Sequence, residues 1–359
     1  PAHRTLELQT TPLPPIIRRM RFSPQLLGRA AALVTVLIWT AFIVIARASA
    51  DPARGAPLSP FDIALLRVLG ASAVLLPWGV WLVKRDGGGW LGVSPLPMRP
   101  TVVAGFFGGL LYALLAYAGF VWAPAAHAAV LMPGSLPLWT ALLAVPLLGE
   151  RLGAARIAGL ACIVLGDVLV GGSSLLHAFD GGELWKGDLL FMTAASCWAT
   201  YSVLARRFAL DAVRATIAIT FFAFITWVPA YALLVATGAL HSRLATAPLS
   251  FVAFQALFQG VGSVVISGIT FTQMIRHFGP VRSTMITALV PGLSALGAVV
   301  FLNEPLTPWL LGGLAAVTAG ILIGVRAVAS NAPKNEASYD RMALGKGVKP
   351  PKPSAVEAR

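Results

Sequence analysis

Three ionisable side chains, Arg67, His127 and Asp167, fall inside long apolar stretches of this chain. A charge held in lipid is costly, so each is a functional candidate by default. Arg67 either binds a substrate carboxylate, pairs with Asp167 or snorkels to the headgroups. His127 and Asp167 either reach the headgroup region or carry a proton; no other titratable group is expected within the spans for that task. Glu150 and Glu304 sit at the ends of apolar runs. A structural role is expected for both: accepting backbone amides at a helical hairpin, or pairing with a nearby arginine such as Arg151 for Glu150.

Polar and aromatic residues add a second pattern. Gln255, Gln259, Ser263, Ser267, Thr270 and Gln273 recur every three or four positions, which puts them on one helical face. Such a stripe either lines a water-filled cavity or makes hydrogen bonds to neighbouring helices. Thr284, Thr287, Pro291 and Ser294 form a shorter stripe. Pro137 and Pro291 each remove one helical hydrogen bond and act as a gate or simply as a bend. Counting from the ends of the runs places Trp39, Tyr112, Trp198 and Ser263 near mid-depth. With Gln259 and Arg67, they suit a mostly apolar ligand bearing a few polar groups.

Several chemistries lack their residues. There is no Gly-x-Ser-x-Gly, His-Glu-x-x-His or phosphate-binding loop in a plausible setting, and no enzyme is expected. Cys162 and Cys197 both lie in apolar runs, so neither a disulfide framework nor a zinc site is in view. No metal or other cofactor is expected.

These residues must be positioned by membrane helices. The chain has 359 residues, of which 57% are hydrophobic and 11% charged, and its mean hydropathy is +0.79. A soluble surface needs about 25% charged residues. A bilayer core takes about 20 apolar residues per helix, and ten runs meet that need: 27–47, 60–83, 101–122, 125–148, 154–172, 187–207, 214–237, 249–275, 280–302 and 306–326. Gly87–Gly89 suggests a flexible 84–100 loop, and 327–359 reads as a disordered tail following a membrane part that begins after residue 26. The net charge of +13 comes from Lys and Arg concentrated in alternate loops and both ends, which reads as membrane orientation with both termini cytoplasmic. No basic face is left that could follow nucleic acid. No cleavable signal peptide is expected at the N-terminus.

The chain also repeats itself. Pro137, Glu150, Leu152, Gly159 and Gly166 recur 154 residues later as Pro291, Glu304, Leu306, Gly313 and Gly320. Gly28, Trp39, Ala46 and Arg47 recur 159 residues later as Gly187, Trp198, Ala205 and Arg206. Five spans per copy is an odd number, so 27–172 and 187–326 should form inverted repeats, an arrangement common among secondary transporters.

Two halves that each close the fourth helix with a Gly/Asn-Glu signature (PLLGERL and FLNEPLT), before a glycine-rich fifth helix, resemble the EamA family of the ten-helix drug/metabolite transporter superfamily. The resemblance covers about residues 27–326. It implies an all-α membrane protein with a central cavity made mainly by helices 3, 4, 8 and 9, with helices 1, 2, 6 and 7 moving around it and 5 and 10 at the periphery. Helix 1 lacks the buried glutamate of the superfamily's four-helix members. The expected function is an inner-membrane exporter of amino acids or similar small amphipathic metabolites. The alternative is a lipid-handling, scramblase-like or purely structural membrane protein.

Overall fold

The computed structural model describes residues 24–331 and is helical almost throughout. Ten helices succeed one another: α1 (Pro24–Ala50), α2 (Pro60–Asp86), α3 (Met98–Trp122), α4 (Ala125–Leu148), α5 (Ala154–Ala178), α6 (Leu184–Arg207), α7 (Ala212–Ala236), α8 (Leu249–Gly279), α9 (Arg282–Leu302) and α10 (Pro308–Asn331). By length and composition, nine of the ten are apolar enough to cross a membrane. The exception is α6, which carries Lys186 and Asp188 in its first turns and Thr193, Ser196, Thr200 and Ser202 further on. The expected tails lie almost wholly outside the described residues, and α10 extends past residue 326 to Asn331.

The loop after α2 differs from expectation. Gly87, Gly88 and Gly89 take positive φ, but they lead into a folded connection. Trp90 and Ser94 exchange backbone hydrogen bonds at 2.9 and 3.1 Å. The Ser94 hydroxyl meets that of Thr101 at 2.7 Å, and the Trp90 ring packs edge-on against Phe221. The glycines turn the chain there; they do not loosen it.

Packing repeats between the halves. α1 lies on α8 and α9 as α6 lies on α3 and α4; α2 lies on α8 as α7 lies on α3; α2 meets α7, and α5 meets α10. The α5–α10 seam is built from glycine. A Cβ on Gly159 would stand 2.7 Å from the Gly320 carbonyl oxygen, and one on Gly166 would stand 2.6 Å from that of Gly313. The earlier glycine of α5 meets the later one of α10 and the later meets the earlier, so the helices run antiparallel. Small residues allow such contact where lipid supplies no hydrophobic drive between helices. Gly320→Val, whose Cβ would fall 2.5 Å from the Gly159 oxygen, should cost about 3 kcal/mol by overpacking. Thermal melting in detergent checks this against Gly312→Ala, where the new methyl meets only a Leu169 methyl at 3.5 Å and should leave the melting point nearly unchanged.

Candidate functional site: a central cavity and two glutamate–arginine pairs

The repeated Leu-Gly/Asn-Glu signature has a local cause. Gly149 (φ 68°) and Asn303 (φ 52°) are the left-handed residues that end α4 and α9, a conformation glycine and asparagine adopt most cheaply. In both, the next amide reaches back six residues: Glu150 to the Ala144 carbonyl at 3.4 Å, and Glu304 to that of Ala298 at 3.2 Å. The cap therefore presents one carboxylate at each face of the bundle, here named the Glu150 face and the Glu304 face.

The two carboxylates have matching but unequal partners. At the Glu304 face, Glu304 accepts the amides of Ala125 and Ala126, the first residues of α4, at 2.9 and 3.1 Å. It also lies 3.6 Å from Arg47 at the end of α1, with both side chains largely buried (15% and 11% exposed). At the Glu150 face, Glu150 pairs with Arg206 at the end of α6 at 2.9 Å, but these side chains are 28% and 49% exposed. Its other partner is Arg156 at 2.9 Å. Arg47 and Arg206 are themselves repeat equivalents, so one ion pair occurs twice, closed on one face and loose on the other. Burial alone would raise the Glu150 carboxyl, but Arg156 and Arg206 hold it below the ordinary glutamate value. The pair thus stays charged at neutral pH and is lost only as pH falls through that lowered value. The partner expected for Glu150, Arg151, is not the one used. Glu304 does take backbone amides, but those of α4 and not of its own hairpin.

A cavity of about 400 Å³ lies between the halves. Its closed end is formed by Phe42, Ile43, Ala113 and Met132, and its last lining residues, Ala205 and Ala212, are at the ends of α6 and α7 on the Glu150 face. Towards the Glu304 face the bundle is sealed by aromatic contacts: Phe42 with Tyr117 and Phe120 at 6.0 and 6.3 Å, and Phe120 with Phe191 at 4.9 Å. Beyond them Ala123, Ala125, Ala126, Ala128 and Ala129 are fully packed. The cavity is therefore closed towards the Glu304 face, and its lining extends to the Glu150 face.

Its walls come from α1–α4 and α6–α8, with only Val290 from α9. The expectation of a cavity made mainly by helices 3, 4, 8 and 9 is thus too narrow, while α5 and α10 do stay outside it. Trp39, Arg67, Tyr112, Trp198, Ser263 and Ser267 all line the space. The Tyr112 ring lies 5.0 Å from Trp198, and Trp39 lies 5.1 Å from Phe271. Arg67 donates from one Nη1 to the Gln259 carbonyl at 3.2 Å and the Ser263 hydroxyl at 3.1 Å. Its guanidinium also lies 5.5 Å from the Phe42 ring centroid.

Other candidates lie elsewhere. Gln259 is fully buried behind the wall, where its Oε1 accepts the Tyr117 hydroxyl at 2.9 Å. Gln255 donates to Ser49 at 2.7 Å, and Thr35 donates to Thr270 at 2.8 Å. The α8 stripe thus divides: Gln255, Gln259 and Thr270 bond other helices, and Ser263 and Ser267 line the cavity. Thr287 is off the cavity, with its hydroxyl on the Thr284 carbonyl. Pro137 and Pro291 also miss the lining. They sit in the first turns of the helices that resume after breaks at Ser135 and Ala288; Pro133 and Val290 line the cavity instead.

Neither Asp167 nor His127 meets the headgroup reading. Asp167 is buried, and among the described residues both its oxygens lack a hydrogen-bond partner, so it does not pair with Arg67. His127 Nδ1 meets buried Asp188 at 2.9 Å, joining α4 to α6 at the Glu304 face. Asp188 and Asp62 are two further buried acids within the helices, so His127 and Asp167 are not the only candidates inside the spans for carrying a proton. Sequence reasoning also missed Tyr201, Phe42 and Phe271 on the cavity wall. It passed over Arg47 and Arg206 as partners of Glu304 and Glu150 too, although their repeat offset was visible.

A ten-helix membrane bundle enclosing a cavity that is closed towards one face and extends to the other has the architecture of a transporter. The chain belongs to the EamA-like transporter family, which it matches over residues 26–172 and again over 185–326. It is 27% identical over 303 residues to a probable terminal-alkyne amino-acid exporter of Streptantibioticus cattleyicolor, covering 82% of this chain and 91% of that protein. It is 27% identical over 183 residues to an uncharacterized transporter of Archaeoglobus fulgidus, covering 49% of this chain and 56% of that one. A solved crystal structure matches with a TM-score of 0.51 at 24% identity, covering 85% of this chain and 98% of the other, which is a likeness of fold.

Proposed function

We propose that the chain is a secondary transporter that exports amino acids or similar small amphipathic metabolites by alternating access. The observation that carries this reading is the unequal pair of gates around one cavity: Arg47–Glu304 buried and Arg206–Glu150 loose. The proposal takes the halves as inverted repeats, which the antiparallel α5–α10 seam and the duplicated contacts of α1 and α6 support. In such a repeat, exchanging the conformations of the two halves opens the opposite face. The placement of Lys and Arg supports a cytoplasmic Glu150 face in a bacterial-type inner membrane. On that orientation the cavity faces inward, ready to load from the cytoplasm. The Streptantibioticus relative, a probable terminal-alkyne amino-acid exporter, supports amino acids as the substrate class.

The test is flux from liposomes containing the purified chain, run beside a fluorescent phospholipid flip assay. Efflux of a radiolabelled amino acid above that of empty liposomes, with lipid flipping unchanged, is the expected result. Faster lipid flipping without solute flux would replace this reading with a lipid-handling one.

A further inference from the structure

We infer that the cavity recognises its ligand by one carboxylate, through Arg67, and that the α-amino group is dispensable: the substrate class is small apolar monocarboxylates, with amino acids as one case. This rests on the cavity being the substrate site. Among the described residues, Arg67 is the single charged residue on the cavity wall, and it forms no ion pair with any of them; the oxygens it meets, the Gln259 carbonyl and the Ser263 and Tyr117 hydroxyls, are neutral. A guanidinium carries five N–H donors in a fork that fits a carboxylate. An uncompensated cation at this depth, about 10 Å along α2 from its start, is therefore a site prepared for an anion.

The rest of the wall determines what the anion is attached to. Trp39, Tyr112, Trp198 and Tyr201 offer ring faces, and the remaining polar groups are hydroxyls and indole N–H. Among the described residues no aspartate or glutamate lines the cavity, so nothing negative there awaits an ammonium, which can at most rest on a ring face. A single cation also does not match a dianion such as a phosphate monoester. The wall therefore demands one negative charge and an apolar body, and it makes no comparable demand for a positive charge.

Calorimetric titration of the purified full-length chain in detergent tests this without requiring transport. The probes are leucine, 4-methyl-2-oxopentanoate, leucinamide, 3-methylbutylamine and 3-methylbutyl phosphate. Leucine and its oxo acid should bind within about three-fold of each other, and the other three at least about 30-fold more weakly, the usual range for losing a charged hydrogen bond. Arg67→Gln should weaken both acids by a similar factor, and Arg67→Lys by less. The inference fails if leucinamide or the amine binds as tightly as leucine, if the oxo acid does not bind, or if Arg67→Gln leaves the acids unchanged. Because the ligand series uses the native chain, it decides even if the variants fold poorly. Flux of some other solute from liposomes, with neither acid bound, would leave the transport reading standing and remove this one.

Discussion

Glu304→Gln should open the Glu304 face and cut transport at least ten-fold while the protein still reaches the membrane. The carboxylate there serves three partners at once: the Ala125 and Ala126 amides and the Arg47 guanidinium. A carboxamide keeps the shape but has one acceptor oxygen and no charge. It leaves Arg47 with Asp51, at 3.1 Å, as its remaining acid. Breaking a buried pair by removing one partner costs about 3–5 kcal/mol, and about 3 kcal/mol moves a two-state equilibrium by two powers of ten. The readout is a cysteine at Ala113, behind the seal at the cavity's closed end, in a background lacking Cys162 and Cys197. It should react with a membrane-impermeant maleimide added from the Glu304 face in the variant and not in the parent. Glu150→Gln should act in the opposite sense. Its partners Arg156 and Arg206 are 24% and 49% exposed, so it should lose no more than about 1 kcal/mol in the present state, yet it weakens the state in which that face closes. Equal melting-point losses with no change in labelling would reduce both glutamates to fold supports.

Ser263→Trp should bring flux to background without loss of protein from the membrane. Ser263 lines the cavity and accepts a hydrogen bond from Arg67. An indole there projects into the roughly 400 Å³ of space, narrows the passage beside Arg67 and removes the hydroxyl that the guanidinium bonds. It enters an open cavity, so the overpacking cost of a filled core does not apply. Thr287→Val is the paired control: this residue lies away from the cavity and should keep flux within about two-fold, as surface or peripheral changes usually do. Near-normal transport in Ser263→Trp would move the substrate route elsewhere in the bundle.

Thr287 and Ser263 show where reading the chain succeeded and where it stopped. The ten helices were legible because bilayer thickness imposes a run length. The two halves were legible because their capping residues, glutamates and glycines recur at fixed offsets. The direction of each side chain was less so. Helical counting assumes 3.6 residues per turn, but Phe106–Leu111, Val130–Gly134 and Ala256–Ile266 are wound with wider π-helical turns. Each such stretch rotates the helical face of the residues after it. The α8 stripe therefore leaves Gln255 and Gln259 against Ser49 and Tyr117 while Ser263 and Ser267 reach the cavity. In α9, the break at Ala288 separates Thr287 from the face that carries Val290. Pairings such as His127 with Asp188 or Glu150 with Arg206 join helices through tertiary packing that no local pattern announces. The gate pairs were nearer to hand: the 154-residue offset of the glutamates and the 159-residue offset of the arginines are both present in the chain, and only their meeting in space was missing.

The glycine seam between α5 and α10 has a practical consequence for watching this protein move. Backbone lies directly on backbone there, with carbonyl oxygens 2.5–2.9 Å from where side chains would begin, so the two helices cannot roll or slide without separating. They form a built-in ruler. Spin labels at lipid-facing Leu165 and Leu311, both exposed, should report one unchanging distance through the transport cycle. Motion of α1 or α6 can then be measured against that fixed bar, and a change in the bar itself would signal a protein coming apart rather than one at work.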